Sequence, residues 1–228
     1  MIVEDQRSAF AFLSRPETYG LSGAVETMET HISMIFLAGP RVFKLKRAVH
    51  LPYADFSTPA LRLRACHEEV VRNSKTAPGL YLGVRRITRN ADGALAFDGG
   101  GEVIDAVVEM VRFDQHCLFD RMAVAGELTP ELMEDAARMI ADFHASAPIV
   151  PDGGAGNISN VLSINEAGFA ESHLFQAGEL SDFHAAFRSA LQRHSALLDQ
   201  RAKNGKVRLC HGDLHLRNIC MIEGTPRL

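Results

Sequence analysis

No basic excess marks this chain: 24 Lys and Arg stand against 28 Asp and Glu, a formal charge of −4. That lacks the positive footprint a nucleic-acid backbone demands, so no nucleic-acid partner is expected. No apolar run approaches the roughly 20 residues of a membrane-spanning helix, so no membrane association is expected either. The start, Met1-Ile2-Val3-Glu4-Asp5, carries acid where a secretory signal carries base, and no apolar signal core follows. Cysteine is scarce: Cys66, Cys117, Cys210 and Cys220 are scattered, with no CxxC pair. That pattern predicts reduced thiols and a cytoplasmic location. Internal repeats and low-complexity tracts are also missing.

What is present is ordinary in bulk and specific in detail. A hydrophobic fraction of 46% and a charged fraction of 23% suit a folded globular chain. With 228 residues there is material for one large domain or two lobes with real cores. Residues 1–22 read as a helical lead-in. His31–Leu37 and Arg41–Lys46 read as strands joined by Ala38-Gly39-Pro40. In the second strand Val42, Lys44 and Lys46 share one face, Phe43 and Leu45 the other. Thr58 followed by Pro59 predicts a capped helix start, with the helix running to about Lys75 and carrying Glu68 and Glu69. Tyr81–Ile87, Leu95–Phe97 and Val103–Arg112 read as strands. Asp98-Gly99-Gly100-Gly101 precedes a β-branched apolar run rather than a helix, so it reads as a hairpin turn, not a phosphate loop.

After Phe113 the pattern becomes helical. Thr129-Pro130-Glu131 opens one helix, 147–156 read as loop, and Phe183 to Leu198 mark a second helix ending near Asn204-Gly205. Val207–Cys210 and Ile219–Ile222 read as short strands, with Glu223-Gly224 as a turn. The shift from strands to helices predicts an α+β chain of two lobes, 1–113 and 114–228, with a hinge near Glu109-Met110-Val111-Arg112.

The most specific stretch is His211-Gly212-Asp213-Leu214-His215-Leu216-Arg217-Asn218. An Asp followed five residues later by an Asn is the spacing of a phosphoryl-transfer loop, in which the Asp faces the acceptor hydroxyl and the Asn holds a metal ion on the ATP phosphates. A zinc reading of Cys210, His211, His215 and Cys220 matches no standard ligand spacing.

The loop resembles that of the aminoglycoside phosphotransferase and choline kinase family, relatives of protein kinases. Arg41-Val42-Phe43-Lys44-Leu45-Lys46 is similar to the strand that carries the phosphate-binding lysine. The helix with Glu68 and Glu69 sits where that lysine's carboxylate partner belongs. Val107–Phe113 is similar to the strand entering the adenine hinge, and Ala141-Asp142-Phe143-His144-Ala145 to the helix end before the catalytic loop. The resemblance implies a protein-kinase-like two-lobed fold, ATP and Mg²⁺ as cofactors, and transfer of the γ-phosphate to a small-molecule hydroxyl. It assigns Asp213 to catalysis and Asn218 to metal. Lys44 or Lys46, with Glu69 or Glu68, would serve the nucleotide phosphates, and Glu109 and Val111 would serve the hinge. His211 and Gly212 would support the loop.

Phe43-Lys44-Leu45-Lys46-Arg47, Asp55-Phe56-Ser57-Thr58 and Ala77-Pro78-Gly79-Leu80-Tyr81-Leu82-Gly83 resemble one bacterial branch more closely. There a phosphotransferase-like domain is often fused to a P-loop ATPase domain, which implies such a domain or partner. The family carries a second metal-binding Asp on the strand pair after the loop, a position past Leu228. The expectation is therefore a poor catalyst when the 228 residues stand alone, with Ile219–Ile222 as an unpaired apolar edge. A non-catalytic kinase-like nucleotide-binding or regulatory module is the alternative.

Overall fold

Ten strands alternate with helices through this computed structural model, which describes residues 3–172 and 174–228. The strands are β1 (Glu26–Glu29), β2 (Ser33–Ala38), β3 (Arg41–Lys46), β4 (His50–Leu51), β5 (Ala54–Asp55), β6 (Tyr81–Arg89), β7 (Leu95–Phe97), β8 (Glu102–Val111), β9 (Cys220–Ile222) and β10 (Thr225–Arg227). The helices are α1 (Arg7–Leu13), α2 (Pro59–Asn73), α3 (Phe119–Ala125), α4 (Pro130–Ser146), α5 (Gly154–Ser172) and α6 (Ala177–Lys203). The class is mixed α+β, compatible with a kinase-like two-lobed plan. No described helix is long and apolar enough to cross a membrane.

Six strands form one antiparallel sheet in the order β1-β2-β3-β8-β6-β7. The β2–β3 turn is where the sequence puts it, with Gly39 at φ 56° and Pro40 beside it. The β7–β8 link is not the expected hairpin turn. Both strands flank β6, so Asp98-Gly99-Gly100-Gly101 carries the chain across the end of β6. The crossing is tight: a Cβ on Gly101 would stand 1.9 Å from the Arg89 carbonyl oxygen. Asp98 fastens it by accepting the Arg86 backbone N–H at 2.9 Å and pairing with the Arg85 guanidinium. Strand β1 escaped the sequence reading because all four of its residues are exposed, which erases the apolar alternation.

The sheet is covered on both faces. On one face α1 adds Ala9 and Leu13 to Phe36, Ala38, Phe43, Leu45, Ile87 and Val107. Leu13, Phe36, Leu45, Ile87 and Val107 are essentially fully buried, each worth about 1.5–3 kcal/mol. On the other face α2 places Cys66 against Ala106 and Val108, with Leu63, Val70, Tyr81, Val84 and Met110 around them. The helix starts as the sequence predicts: Thr58 accepts the Leu61 N–H at 3.3 Å and Pro59 is the first residue.

The chain divides into two compact units, Met1–Ala136 with Asp213–Leu228, and Ala137–Gly212. Residues 114–136 and 213–228 therefore group with the strand-rich part, a different division from the expected cut at 113. In the first unit β9 and β10 pair through a turn with both Glu223 (φ 49°) and Gly224 (φ 75°) left-handed. Ile219, Cys220 and Leu228 are buried, the Phe119 N–H donates to the Ile219 carbonyl at 2.9 Å, and Thr76 Oγ1 donates to the Leu228 carbonyl at 3.2 Å. The expected unpaired edge at Ile219–Ile222 is thus paired and covered.

In the second unit α5 packs on α6, tied by Arg188 to Glu166 at 2.7 and 2.8 Å and to Ser159 Oγ at 2.9 Å. Helix α5 was not legible: it is built largely from Gly, Ser, Asn and Ala, and its apolar stripe is thin. The strand expected at Val207–Cys210 reduces to one bridge, Arg208 with Ile149.

Candidate functional site

Strand alternation aims Lys44 and Lys46 at α2, and helix periodicity aims Glu69 back at them. Lys44 Nζ lies 2.9 Å from Glu69 Oε1, and Lys46 Nζ 2.5 Å from Oε2. The two lysines share one carboxylate, one on each oxygen. The Lys44 side chain retains 31% exposure, that of Lys46 only 7% and that of Glu69 12%. The Lys46 ammonium also stands 5.1 Å from the Phe56 ring centroid. Glu68 points away: it is exposed and pairs along the helix with Arg64 and Arg72 at 3.9 and 3.4 Å.

Burial alone would favour neutral forms at this cluster, but the opposite charges prevail. For Glu69, burial pushes the carboxyl up, while the Lys44 and Lys46 charges and hydrogen bonds pull it further down, for a net lowering. For Lys44, burial pushes the ammonium down, and the Glu69 charge and hydrogen bond more than restore it, for a net rise. Tyr81 faces the same cluster and accepts a 2.9 Å hydrogen bond from Asn73 Nδ2.

One face of α2 makes all of these contacts. Arg62, Cys66, Glu69 and Asn73 recur at i, i+4, i+7 and i+11. Arg62, fully buried, bonds Asp105 at 2.8 Å and Glu4 at 2.7 Å. Gln6 adds bonds to Asp105 Oδ2 at 2.8 Å and to the Lys46 carbonyl at 2.9 Å. Polar contacts to the sheet and the N-terminal segment therefore fix the height and rotation of α2.

Glu109 and Val111 do not join this cluster. Glu109 pairs across the ladder with Phe43 and stands on the α1 face, where it meets Arg85 at 3.2 Å and Arg41 at 3.9 Å. The Val111 N–H is already donated to the Leu80 carbonyl, and that of Arg112 to the Pro40 carbonyl, both at 2.9 Å. Neither of these two backbone N–H groups is open to a ligand. A cleft of about 440 Å³ opens there, lined by Leu37, Arg112, Phe113, Asp114, Gln115 and His116.

The loop holds Asp213 and Asn218 together. Asn218 Nδ2 donates to the Asp213 carbonyl at 2.7 Å and to Asp213 Oδ2 at 3.2 Å. That orientation leaves the amide Oδ1 as the acceptor that can face a cation. The His215 ring accepts the Arg217 N–H on Nδ1 at 3.2 Å, and its Nε2 stands 3.3 Å from Asn218 Nδ2 and 3.5 Å from Asp213 Oδ2. His215 thus braces the loop, a residue the sequence did not single out for support. The available clue was a His two residues after the Asp and three before the Asn. His211 and Gly212 lie at the end of the second unit, and Gly212 takes φ 85°, where any other residue is strained.

Among the described residues no group of three or more His, Cys, Asp or Glu converges as a metal cage. The zinc reading has no support from it. Asp213 and Asn218 do supply oxygen donors, which suits Mg²⁺, an ion commonly held by one or two side chains plus phosphate oxygens and water.

The description "Phosphotransferase enzyme family" matches residues 94–228, more than half of the chain. The chain belongs to the phosphotransferase enzyme family. It is also 26% identical, over 210 residues, to uncharacterized proteins of Mycobacterium tuberculosis and Mycobacterium bovis. The match covers 90% of this chain and 40% of each relative, so the chain spans less than half of their length. The family match begins inside the sheet, at Ala94, and takes in β8, the cleft after it and the Asp213–Asn218 loop. It leaves Lys44, Lys46 and Glu69 outside; their grouping rests on the geometry above.

Proposed function

We propose that this phosphotransferase chain binds Mg·ATP and moves its γ-phosphate to the hydroxyl of a small molecule. The observation that carries the reading is the hydrogen-bonded Asp213–Asn218 pair within a matched phosphotransferase segment. Lys44, the more exposed lysine, would neutralise the α- and β-phosphates while Glu69 orients it. The cleft after β8 would take the adenine, with Phe113 and Asp114 rather than Glu109 and Val111 at the hinge. Asn218 Oδ1 would hold Mg²⁺, which supplies charge neutralisation on the phosphates. Asp213 would orient the acceptor hydroxyl and accept its proton as the new O–P bond forms and the β–γ bridge breaks. Water exclusion and alignment, more than proton transfer, would supply most of the rate.

A second reading is a nucleotide-binding module that regulates an attached P-loop ATPase domain. The greater length of the mycobacterial relatives favours room for such a domain. The proposed setting is the cytoplasm, on the basis of four unpaired, scattered cysteines. Two assays separate the readings: the rise in melting temperature with Mg·ATP, and turnover of γ-labelled ATP with a panel of hydroxyl acceptors. The first reading predicts both, with Asp213→Ala abolishing turnover while retaining the thermal shift. A thermal shift without turnover supports the module, and neither signal defeats both.

A further inference from the structure

Gln6, half-buried just before α1, uses its whole side-chain amide inside the protein. Its Nε2 donates to the Lys46 carbonyl at 2.9 Å and to Asp105 Oδ2 at 2.8 Å, and its Oε1 accepts the Ala48 N–H at 2.7 Å. We propose that Gln6 is a positioning residue for the nucleotide site: its amide ties the end of β3 to α2 and so sets where the Lys44–Glu69 pair stands for the phosphates. The proposal rests on the nucleotide-binding reading above, and the pair stays formed throughout.

The ties can be followed atom by atom. The Ala48 N–H settles one end of the amide as oxygen and leaves the nitrogen for Lys46 and Asp105. Asp105 takes Gln6 on Oδ2 and the Arg62 Nε–H on Oδ1, at 2.8 Å each. Arg62 lies on the same face of α2 as Glu69, two turns earlier. Lys46 is the last residue of β3, and its carbonyl goes to Gln6 while its ammonium goes to Glu69. One amide therefore closes a ring through β3, Glu69, α2, Arg62 and Asp105. The segment that carries Gln6 is itself anchored: the Val3 N–H donates to the Ala48 carbonyl at 2.8 Å, and Glu4 Oε2 accepts from Arg62 at 2.7 Å.

Asp105 depends on these donors. It is fully buried, and burial pushes its carboxyl up; the bonds from Arg62, Gln6 and the Ala106 N–H offset only part of that, for a net rise. The charged groups around it line one cavity of about 210 Å³: Arg62 from α2, Arg89 from β6, Glu102 from β8, and Glu4 and Asp5 from the segment before α1. Without the Gln6 amide, Asp105 Oδ2 loses its donor and the end of β3 loses its tie to α2. A glutamate at this position can replace the amide only while a proton is shared with Asp105, because two ionised carboxylates so close repel.

The readout is the affinity for Mg·ADP by calorimetric titration, taken below the melting range of every protein so that unfolding does not enter. Gln6→Met fills similar space without hydrogen bonds and is expected to bind about fivefold to thirtyfold more weakly than wild type. Gln6→Glu is expected to recover most of the wild-type affinity at about pH 6, where a proton is shared with Asp105, and to fall to the Gln6→Met level by about pH 8.5. Each value is taken as a ratio to wild type at the same pH, so the nucleotide's own titration cancels. Phe36→Leu is the control: Phe36 belongs to the core on the α1 face and lies outside the ring of ties. That variant should melt at a lower temperature and bind Mg·ADP as wild type does.

Unchanged affinity in Gln6→Met overturns the proposal. So does an equal loss in Phe36→Leu, which would make the effect one of stability alone. If Gln6→Met does not fold, Gln6→Glu still decides: convergence on wild type at the lower pH supports the proposal, and a ratio that is the same at both pH values overturns it. Absence of any Mg·ADP binding by wild type is a different result, since it removes the nucleotide reading itself and this proposal with it.

Discussion

Replacing Glu69 by Gln, beside the neighbouring Glu68→Gln, separates two residues of one chemistry by environment alone. Glu69 holds two ammonium groups at 2.9 and 2.5 Å with 12% of its side chain exposed. Removing the charge strands Lys46, itself 7% exposed. Breaking a buried pair by deleting one partner costs about 3–5 kcal/mol. The Lys44 ammonium, 31% exposed, can recover part of its hydration, so the lower end applies, about 3 kcal/mol. At roughly 2–4 °C per kcal/mol for a chain of this size, the melting temperature should fall by about 6–12 °C. Glu68 makes only exposed i,i+4 pairs at 3.4 and 3.9 Å. Its removal should cost at most about 0.5 kcal/mol, or about 1–2 °C. Dye-monitored or circular-dichroism melting of the two variants checks both numbers. Similar small shifts for both would refute the claim that Glu69 is a buried two-lysine anchor.

Three further outcomes follow from the same geometry. Glu69 is held below its ordinary carboxyl value, so its contribution is complete above about pH 4.5 and is lost as pH falls through the folded value; Lys44 is held above its ordinary value, so its contribution is complete below about pH 10.5 and is lost at still higher pH. Melting curves across pH should show wild type losing more stability below pH 4.5 than Glu69→Gln does, and parallel acid limbs would contradict this. Burial pushes the Cys66 thiol up to about 12 and the Cys220 thiol up to about 11, so alkylation of the native protein at pH 8, followed by peptide mapping, should label Cys117 and Cys210 well before either. His215→Ala removes the brace on Asp213 and Asn218 and should lower phosphate transfer by about tenfold to a hundredfold with little change in melting temperature, the scale of losing an orienting group beside a metal ligand.

The sequence made legible whatever was written in local chemistry. The β2–β3 pair, the Thr58-Pro59 start of α2, and β6 to β8 each follow from alternation or capping. The Asp–Asn spacing of the loop needed no structure at all. Choice among neighbours was not legible. Glu68 and Glu69 are identical in type and adjacent, and only the rotation of α2, set by Arg62 and Asp105 far along the chain, turns Glu69 to the sheet. Lys44 and Lys46 both face α2, and the Phe56 ring, distant in sequence, lies against the Lys46 ammonium alone. Glu109 stands on the opposite face of the sheet from Lys44 and Lys46, because the register of β8 puts it beside Phe43. The hairpin assigned to Asp98–Gly101 failed for a related reason: turn chemistry does not say which strand will lie between the two it connects. Helix α5 was missed because small polar residues carry little periodic signal, and the packing against α6 supplies the rest.

The most direct test of the account is the thermal stabilisation of three proteins by saturating Mg·ATP: wild type, Lys44→Met and Glu109→Ala. A clear rise is expected for wild type, its near loss in Lys44→Met, and a rise in Glu109→Ala as large as in wild type. A Lys44→Met protein stabilised as strongly as wild type, or a Glu109→Ala protein that loses the effect, would contradict it.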